Sequence, residues 1–238
     1  MSRRTPLSRE RVLAAALALV DAEGVEALTM RRLGRELGVE AMSLYGYVDS
    51  KDDLIEGVVE QVFREMPLIV PGGPGGWKAR LRRHVATYRR VLLAHPNVVR
   101  LVARRPLDIE GVAAFVESAL AELRSLGLDL ETADRVLGVL AGFTLGVVSE
   151  QVGVELQGRR STRYEDIDPA RYPNLAAAKP QTSEDFDREF EMGVDFILDG
   201  IERLLAARGV PTEEDDEGEA HGGATAGTPV RDAGRAHR

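Results

Sequence analysis

The chain has 238 residues, 44% of them hydrophobic and 29% charged, with a formal net charge of −8 and no cysteine. That length and composition suffice for one or two globular domains with a sizeable core. The lack of cysteine excludes a disulfide framework and a thiolate metal site, and the acidic balance argues against indiscriminate nucleic-acid binding by bulk attraction.

Charge distribution matters more than its sum. Residues 1–51 carry eight Lys and Arg against seven acids, while residues 212–238 carry seven acids against three Arg. The head is therefore near neutral with local basic clusters, and electrostatics permit DNA binding there without demanding it. The first residues lead into an amphipathic pattern, so no signal peptide is expected, and no run of ~18 apolar residues stands out as a membrane span. A cytoplasmic location without a membrane partner is the expectation.

Residues 1–7 read as a basic arm, either a solvated terminus or a groove or phosphate contact. Ser8 can cap a helix reaching about Ala22, with Val12, Leu13, Ala16, Leu17 and Val20 buried and Gly24 as its stop. Thr29 caps the next helix, where Met30, Leu33 and Leu37 share a face. Gly38 can adopt the left-handed conformation that ends it, and Val39 plugs the turn. In the short helical pattern that follows, Leu44 and Val48 face inward. Ala41, Met42, Ser43, Tyr45, Gly46 and Tyr47 then point outward or sideways, free to dock. Such a pair is the logic of a helix-turn-helix with its second helix in a DNA major groove.

Ser50 with Asp53 reads as a capping-box variant opening a helix that carries Leu54, Ile55, Val58, Val59, Val62 and Phe63 and stops at Met66-Pro67. Four Gly and two Pro in residues 71–76 cannot continue a helix and form a connector. From Trp77 to Ala94, Trp77, Leu81, His84, Tyr88 and Val91 or Leu92 fall on one helical face. A short helix between Pro96 and Ala103 and another from about Asp108 to Leu126, stopped by Gly127, come next. A long helix over 130–158 places Gly138, Gly142 and Gly146 every four residues, with Ser149 and Gly153 roughly in line. Each interior glycine costs about 1 kcal/mol relative to alanine, so close backbone approach or space for a ligand is expected there. Residues 159–182 hold three prolines without a period and read as a loop. A last helix over 183–208 carries Phe186, Phe190, Val194, Ile197, Ile201 and Leu204 in one stripe, widened by Phe196 and Leu205. An acidic, then Gly/Ala-rich tail closes the chain, and disorder is expected for it.

The fold class that follows is all-α: an N-terminal three-helix helix-turn-helix domain and a C-terminal helical ligand-binding and dimerisation domain. The boundaries are 1–66 for the head with its connecting helix, 77–208 for the second domain, and 209–238 for the tail.

Residues 8–63 resemble the DNA-binding domain of the tetracycline-repressor (TetR) family of bacterial transcriptional regulators. The carrying residues are Ala-Leu-x-Leu-Val (16–20), Glu-Gly-Val-Glu-Ala-Leu-Thr-Met-Arg-Arg-Leu (23–33), Leu-Gly-Val-Glu (37–40), Ser-Leu-Tyr-Gly-Tyr-Val (43–48) and Ser-Lys-Asp-Asp-Leu (50–54). Trp77, the Arg105-Pro106 pair and Gly142-Phe-Thr-Leu-Gly146 with Glu150 are similar to the ligand-binding domain of the tetracycline repressors, as far as about residue 156. The resemblance implies a ligand-responsive repressor, released from a palindromic operator by a small molecule and without a resident cofactor or metal. It implies DNA contacts at Thr29, Met30, Arg31, Ala41, Met42, Ser43, Tyr45, Gly46, Tyr47 and Lys51. Of these, Arg31 can reach a guanine edge and Lys51 can take a phosphate. The ring of Tyr45 is read either as half-buried packing or as a DNA contact.

For the ligand the candidates are Trp77, His84, Tyr88, Leu101, Arg104, Phe143 and Glu150, with Trp77 and His84 open also to a plain core role, and Arg104 to capping a helix. Leu101 stands where the tetracycline repressors place a magnesium-ligating histidine, so tetracycline is not the expected inducer. A homodimer through the 130–158 and 183–208 helices, pairing as a four-helix bundle, would set two recognition helices ~34–36 Å apart. The competing reading is a helical scaffold or protein-interaction module that reads no DNA. An enzyme is disfavoured: two of the four histidines lie in the tail, and no nucleophile elbow, His-Glu-x-x-His or phosphate-cradling loop is present.

Overall fold

The computed structural model describes residues 6–103, 110–157, 168–178 and 185–209, and all its regular elements are helical. They are α1 (Arg9–Glu23), α2 (Met30–Leu37), α3 (Lys51–Arg64), α4 (Trp77–Ala94), α5 (Val99–Val102), α6 (Glu110–Ser125), α7 (Leu130–Gln157), α8 (Pro173–Ala178) and α9 (Phe186–Ala206). Two 3-10 segments lie at Val25–Ala27 and Ala41–Gly46. The basic arm at 1–5 and the tail from 210 fall outside the described residues.

Three hydroxyl caps set the head. Ser8 Oγ accepts from the Arg11 N–H at 3.3 Å, Thr29 Oγ1 from Arg32 at 3.1 Å and Ser50 Oγ from Asp53 at 3.0 Å, each satisfying an orphan donor of a first turn. Gly38 closes α2 at φ 67°, the left-handed geometry the turn requires.

Four details depart from the sequence reading. The segment after the turn winds as a 3-10 helix, tighter than the pattern of Leu44 and Val48 suggested, although both are buried as expected. In α1, Leu19 is buried and Leu17 only half-buried. The expected loop at 159–182 contains α8, which begins at Pro173, a residue pre-set for a first helical turn. In α9 the buried register is Phe190, Val194, Leu198, Ile201 and Leu205, leaving Phe196 66% and Leu204 39% exposed.

The core does not stop at the connector. One cluster of buried side chains joins α1, α2 and α3 to Tyr88 and Leu92 of α4, Phe115 of α6 and Val148 and Val152 of α7. A second gathers Trp77, Leu81 and Val85 with Val136 and Leu140 of α7 and the buried face of α9. α7 is, over Leu130–Val154, long and apolar enough to cross a bilayer by composition, with a mean hydropathy of 1.5, which corrects the expectation that no such run exists. Its apolarity is accounted for on one side by packing against α4, α6 and α9.

α1 and α3 approach closely at Gly57, where a Cβ would collide with the methyl groups of Leu13. Gly57→Val should therefore destabilise the fold by about 1–3 kcal/mol through overpacking, read as a lower Tm by calorimetry with helix content unchanged at 20 °C.

Candidate functional site

Leu44 and Val48 anchor the 3-10 segment, so its other side chains point away. Met42 is 77% and Tyr45 47% exposed, Ser43 and Gly46 are exposed, and Ala41 and Tyr47 are half-buried. Thr29, Arg31 and Lys51 are exposed and Met30 is half-buried. Tyr45 thus presents much of its ring to solvent. The basic residues of the head divide into two groups. Arg32 is taken up by Glu23 at 2.5 Å and Glu36 at 2.9 Å, and Arg9 by Asp53 at 2.6 Å. Arg31, Arg35 and Lys51 form no ion pair among the described residues. The Arg9 guanidinium holds the Asp53 carboxyl below the usual carboxylate range. Net charge understates this face: the cations left free point outward, and the paired ones brace the scaffold.

A cavity of about 300 Å³ lies among α3, α4, α6 and α7, walled by Phe63, His84, Tyr88, Phe115, Leu137 and Ala141. Phe63, Tyr88 and Phe115 form a ring cluster with centroids 5.8–5.9 Å apart. The size and aromatic walls suit a small organic molecule. His84 stacks on Phe115 at 3.9 Å, and neither of its buried ring nitrogens has a hydrogen-bond partner among the described residues. Burial pushes its pKa down to about 4 and raises that of Tyr88 to about 12. At neutral pH the imidazole is uncharged, offering one donor and one acceptor.

His84 also borders a more open recess of about 290 Å³ under the connector, beside Ile69, Pro74, Arg83 and Thr87. The connector is pinned there. Ser118 Oγ accepts from the Ile69 N–H at 3.3 Å, Arg80 donates to the carbonyls of Gly73 and Gly75, and Arg83 donates to that of Pro74. Arg80 is itself held by the fully buried Glu122 at 2.7 Å.

Of the seven expected ligand residues, the structure brings His84 and Tyr88 together at the cavity. Trp77 is instead core, packed with the second cluster, because its face of α4 turns toward α7 and α9. Phe143 stacks on Phe190 at 5.9 Å and covers Gly193, and so seals the α7–α9 contact. Leu101 packs half-buried on the first core, and Glu150 is exposed on α7. Arg104 lies outside the described residues. Phe63 was legible only as a core residue, and Phe115, on a helix distant in sequence, carried no signal of its role. Among the described residues no group of three His, Asp or Glu side chains is placed to hold a metal ion.

Two family models match the chain: bacterial regulatory proteins of the tetR family over residues 12–58, and the tetracyclin repressor-like C-terminal domain over residues 71–205. The chain is 33% identical to the HTH-type transcriptional repressor DrrR1 of Streptomyces coeruleorubidus, covering 85% of this chain and 80% of that one. It is likewise 33% identical to the class A tetracycline repressor of transposon 1721 from Escherichia coli, with coverages of 89% and 100%. Among solved structures, ActR of Streptomyces coelicolor in complex with actinorhodin matches with a TM-score of 0.73 at 30% identity, over 84% of this chain and 99% of that one.

The state of His84 gives a pH signature. In the unfolded chain the imidazole takes up its proton near 6.5, whereas folded His84 stays neutral until about 4. As pH falls from 6.5 to 4 the unfolded state binds the extra proton, so this group withdraws about 3 kcal/mol of stability. His84→Phe should remove that loss, visible as a smaller fall in urea midpoint between pH 6.5 and 4 than in the wild type.

Proposed function

The chain belongs to the tetR family of bacterial regulatory proteins, and on that premise we propose how it works as a regulator. It is a ligand-responsive, DNA-binding transcriptional regulator of the repressor type, not an enzyme. In our reading residues 1–66 form the reading head and 77–208 the sensing and pairing domain. Thr29, Met30, Arg31, Ala41, Met42, Ser43, Tyr45, Gly46, Tyr47 and Lys51 meet the operator, Arg31 reading a base and Lys51 holding a phosphate. The observation that carries this reading is that one helix serves both sites: α3 starts at exposed Lys51 and carries Phe63 of the cavity wall in its last turn.

The effector is a small aromatic molecule held against Phe63, Tyr88 and Phe115, with His84 meeting a polar group on it. In support, ActR carries actinorhodin in its solved complex. Leu101 supplies no magnesium ligand, which speaks against a tetracycline chelate. Bound effector favours a state that fits the operator less well, by no more than its differential affinity for the two states.

The active form is a cytoplasmic homodimer paired through α7 and α9. Among the described residues, a Cβ at Gly138, Gly142, Gly146 or Gly200 would meet nothing within 4 Å. On the same two helices Val139, Met192, Phe196 and Leu204 are exposed, and Val139, Gly200 and Leu204 line a groove of about 440 Å³. A bare apolar face of this kind marks an interaction surface, and two-fold pairing would cover it as a four-helix bundle.

Selection from a random duplex library, followed by titration at several salt concentrations, tests the DNA reading: a palindromic site with salt-dependent affinity is expected. Failure to enrich any sequence would contradict it. Arg31→Ala should relax discrimination at one base pair per half-site by about 1–3 kcal/mol. For the dimer, Gly142→Leu and Phe196→Glu should each shift sedimentation toward monomer at micromolar concentration; an unchanged dimer in both would refute this interface.

A further inference from the structure

The 3-10 segment Ala41–Gly46 is too short to hold its own shape. Its N-cap, Glu40, makes no side-chain cap, and only Leu44 within it is buried. Its exit is held from outside. Arg9 Nη1 donates to the Tyr47 carbonyl at 2.9 Å and to Asp53 Oδ2 at 3.0 Å, while Nη2 donates to Asp53 Oδ1 at 2.6 Å. Asp53 Oδ2 also accepts from the Asp49 N–H at 2.8 Å. The reciprocal half of the expected capping box has thus moved one residue upstream, and one guanidinium plane joins the start of α1, the exit of the reading segment and the first turn of α3.

Position and charge indicate that this arginine is not there for phosphate. A cation in the first turn of a helix opposes the helix dipole, so its placement needs another gain. Asp49, Asp53 and Glu60 all act on it, and its hydrogen bonds go to Tyr47 and Asp53 of the same chain. Tyr47 and Lys51, which flank the clamp, are two of the residues proposed to meet DNA. Only arginine offers a planar fork for two carboxylate oxygens and a carbonyl at once.

We propose that Arg9, through Asp53 and the Tyr47 carbonyl, is a positioning residue for DNA reading: it presets the 41–51 segment in its docking geometry and does not itself contact the duplex. This rests on the reading that the 41–51 segment meets the operator.

The test uses the full-length protein and the duplex selected with the wild type, and compares Arg9→Lys, Arg9→Ala and Asp53→Asn. For each, operator affinity, affinity for a scrambled duplex and the slope of log K against log salt are measured. All three variants should lose about tenfold or more in operator affinity, comparable with one mismatched base pair. Scrambled-duplex affinity should stay put in Arg9→Lys and Arg9→Ala, with the salt slope unchanged. A slope smaller by about one, with both duplexes weakened equally, would make Arg9 a phosphate contact and overturn the proposal. Full operator affinity in Arg9→Lys would overturn the bidentate clamp, and an unchanged operator-to-scrambled ratio in Arg9→Ala would overturn positioning altogether. Should Arg9→Ala fail to fold, Asp53→Asn carries the same comparison from the other side of the pair. A wild type that selects no duplex would instead refute the DNA-binding reading itself.

Discussion

Everything in this molecule depends on burying α3 from two sides at once. Its first turns pack Leu54 and Val58 into the core shared with α1, and its last turn sets Phe63 against Tyr88 at 5.9 Å and Phe115 at 5.8 Å. Neither half of the chain could cover that helix alone. The consequence is mechanical: Lys51 and Phe63 are twelve residues apart on one straight element, about 18 Å along its axis. On the proposed mechanism, a group pressing on the Phe63 end would move the turn that carries Ser50, Lys51 and Asp53. A second tie runs parallel to it, where His95 Nδ1 lies 2.9 Å from Asp21 and Asn97 donates to the carbonyls of Val20 and Asp21. The turn between α4 and α5 is thereby fastened to the end of α1.

Much of this was legible in the chain because it is written in local chemistry. Ser8, Thr29 and Ser50 cap the helices they were expected to cap, and Gly24, Gly38 and Gly127 take positive φ where helices stop. What escaped depends on partners remote in sequence or on fine geometry. The apolar spacing of Leu44 and Val48 does not distinguish an α turn from a 3-10 turn. Trp77 and Phe143 have the chemistry of a ligand site, yet which side of α4 or α7 faces the cavity is decided by where α6 and α9 pack. Phe115 becomes a wall only once α6 lies across α3. Arg9 and Arg32 looked like free positive charge in the sequence count, and the fold spends both on carboxylates.

The glycines of α7 are the complementary case. Their spacing announced close approach, yet among the described residues nothing lies within 4 Å of a Cβ placed on any of them. The cost of placing Gly138, Gly142 and Gly146 in a helix is offset, on the proposed dimer, by the partner's backbone. This also explains why a helix apolar enough for a bilayer has only 33% of its most apolar window buried in the monomer. Placed next to the cavity wall at Leu137, Gly138 and Ala141, the same helix would, on the proposed dimer, feel both the effector and the partner chain.

If α3 couples the two sites, filling the cavity displaces the reading segment. Because the chain has no cysteine, a nitroxide at Ser43→Cys reports the distance between the two reading segments of the dimer without background labelling. The cavity can be filled from within by Ala141→Phe, with Tm recorded to confirm folding. A shifted label-to-label distance together with weaker operator binding is the expected result. An unchanged distance and unchanged operator affinity in a folded Ala141→Phe dimer would contradict it.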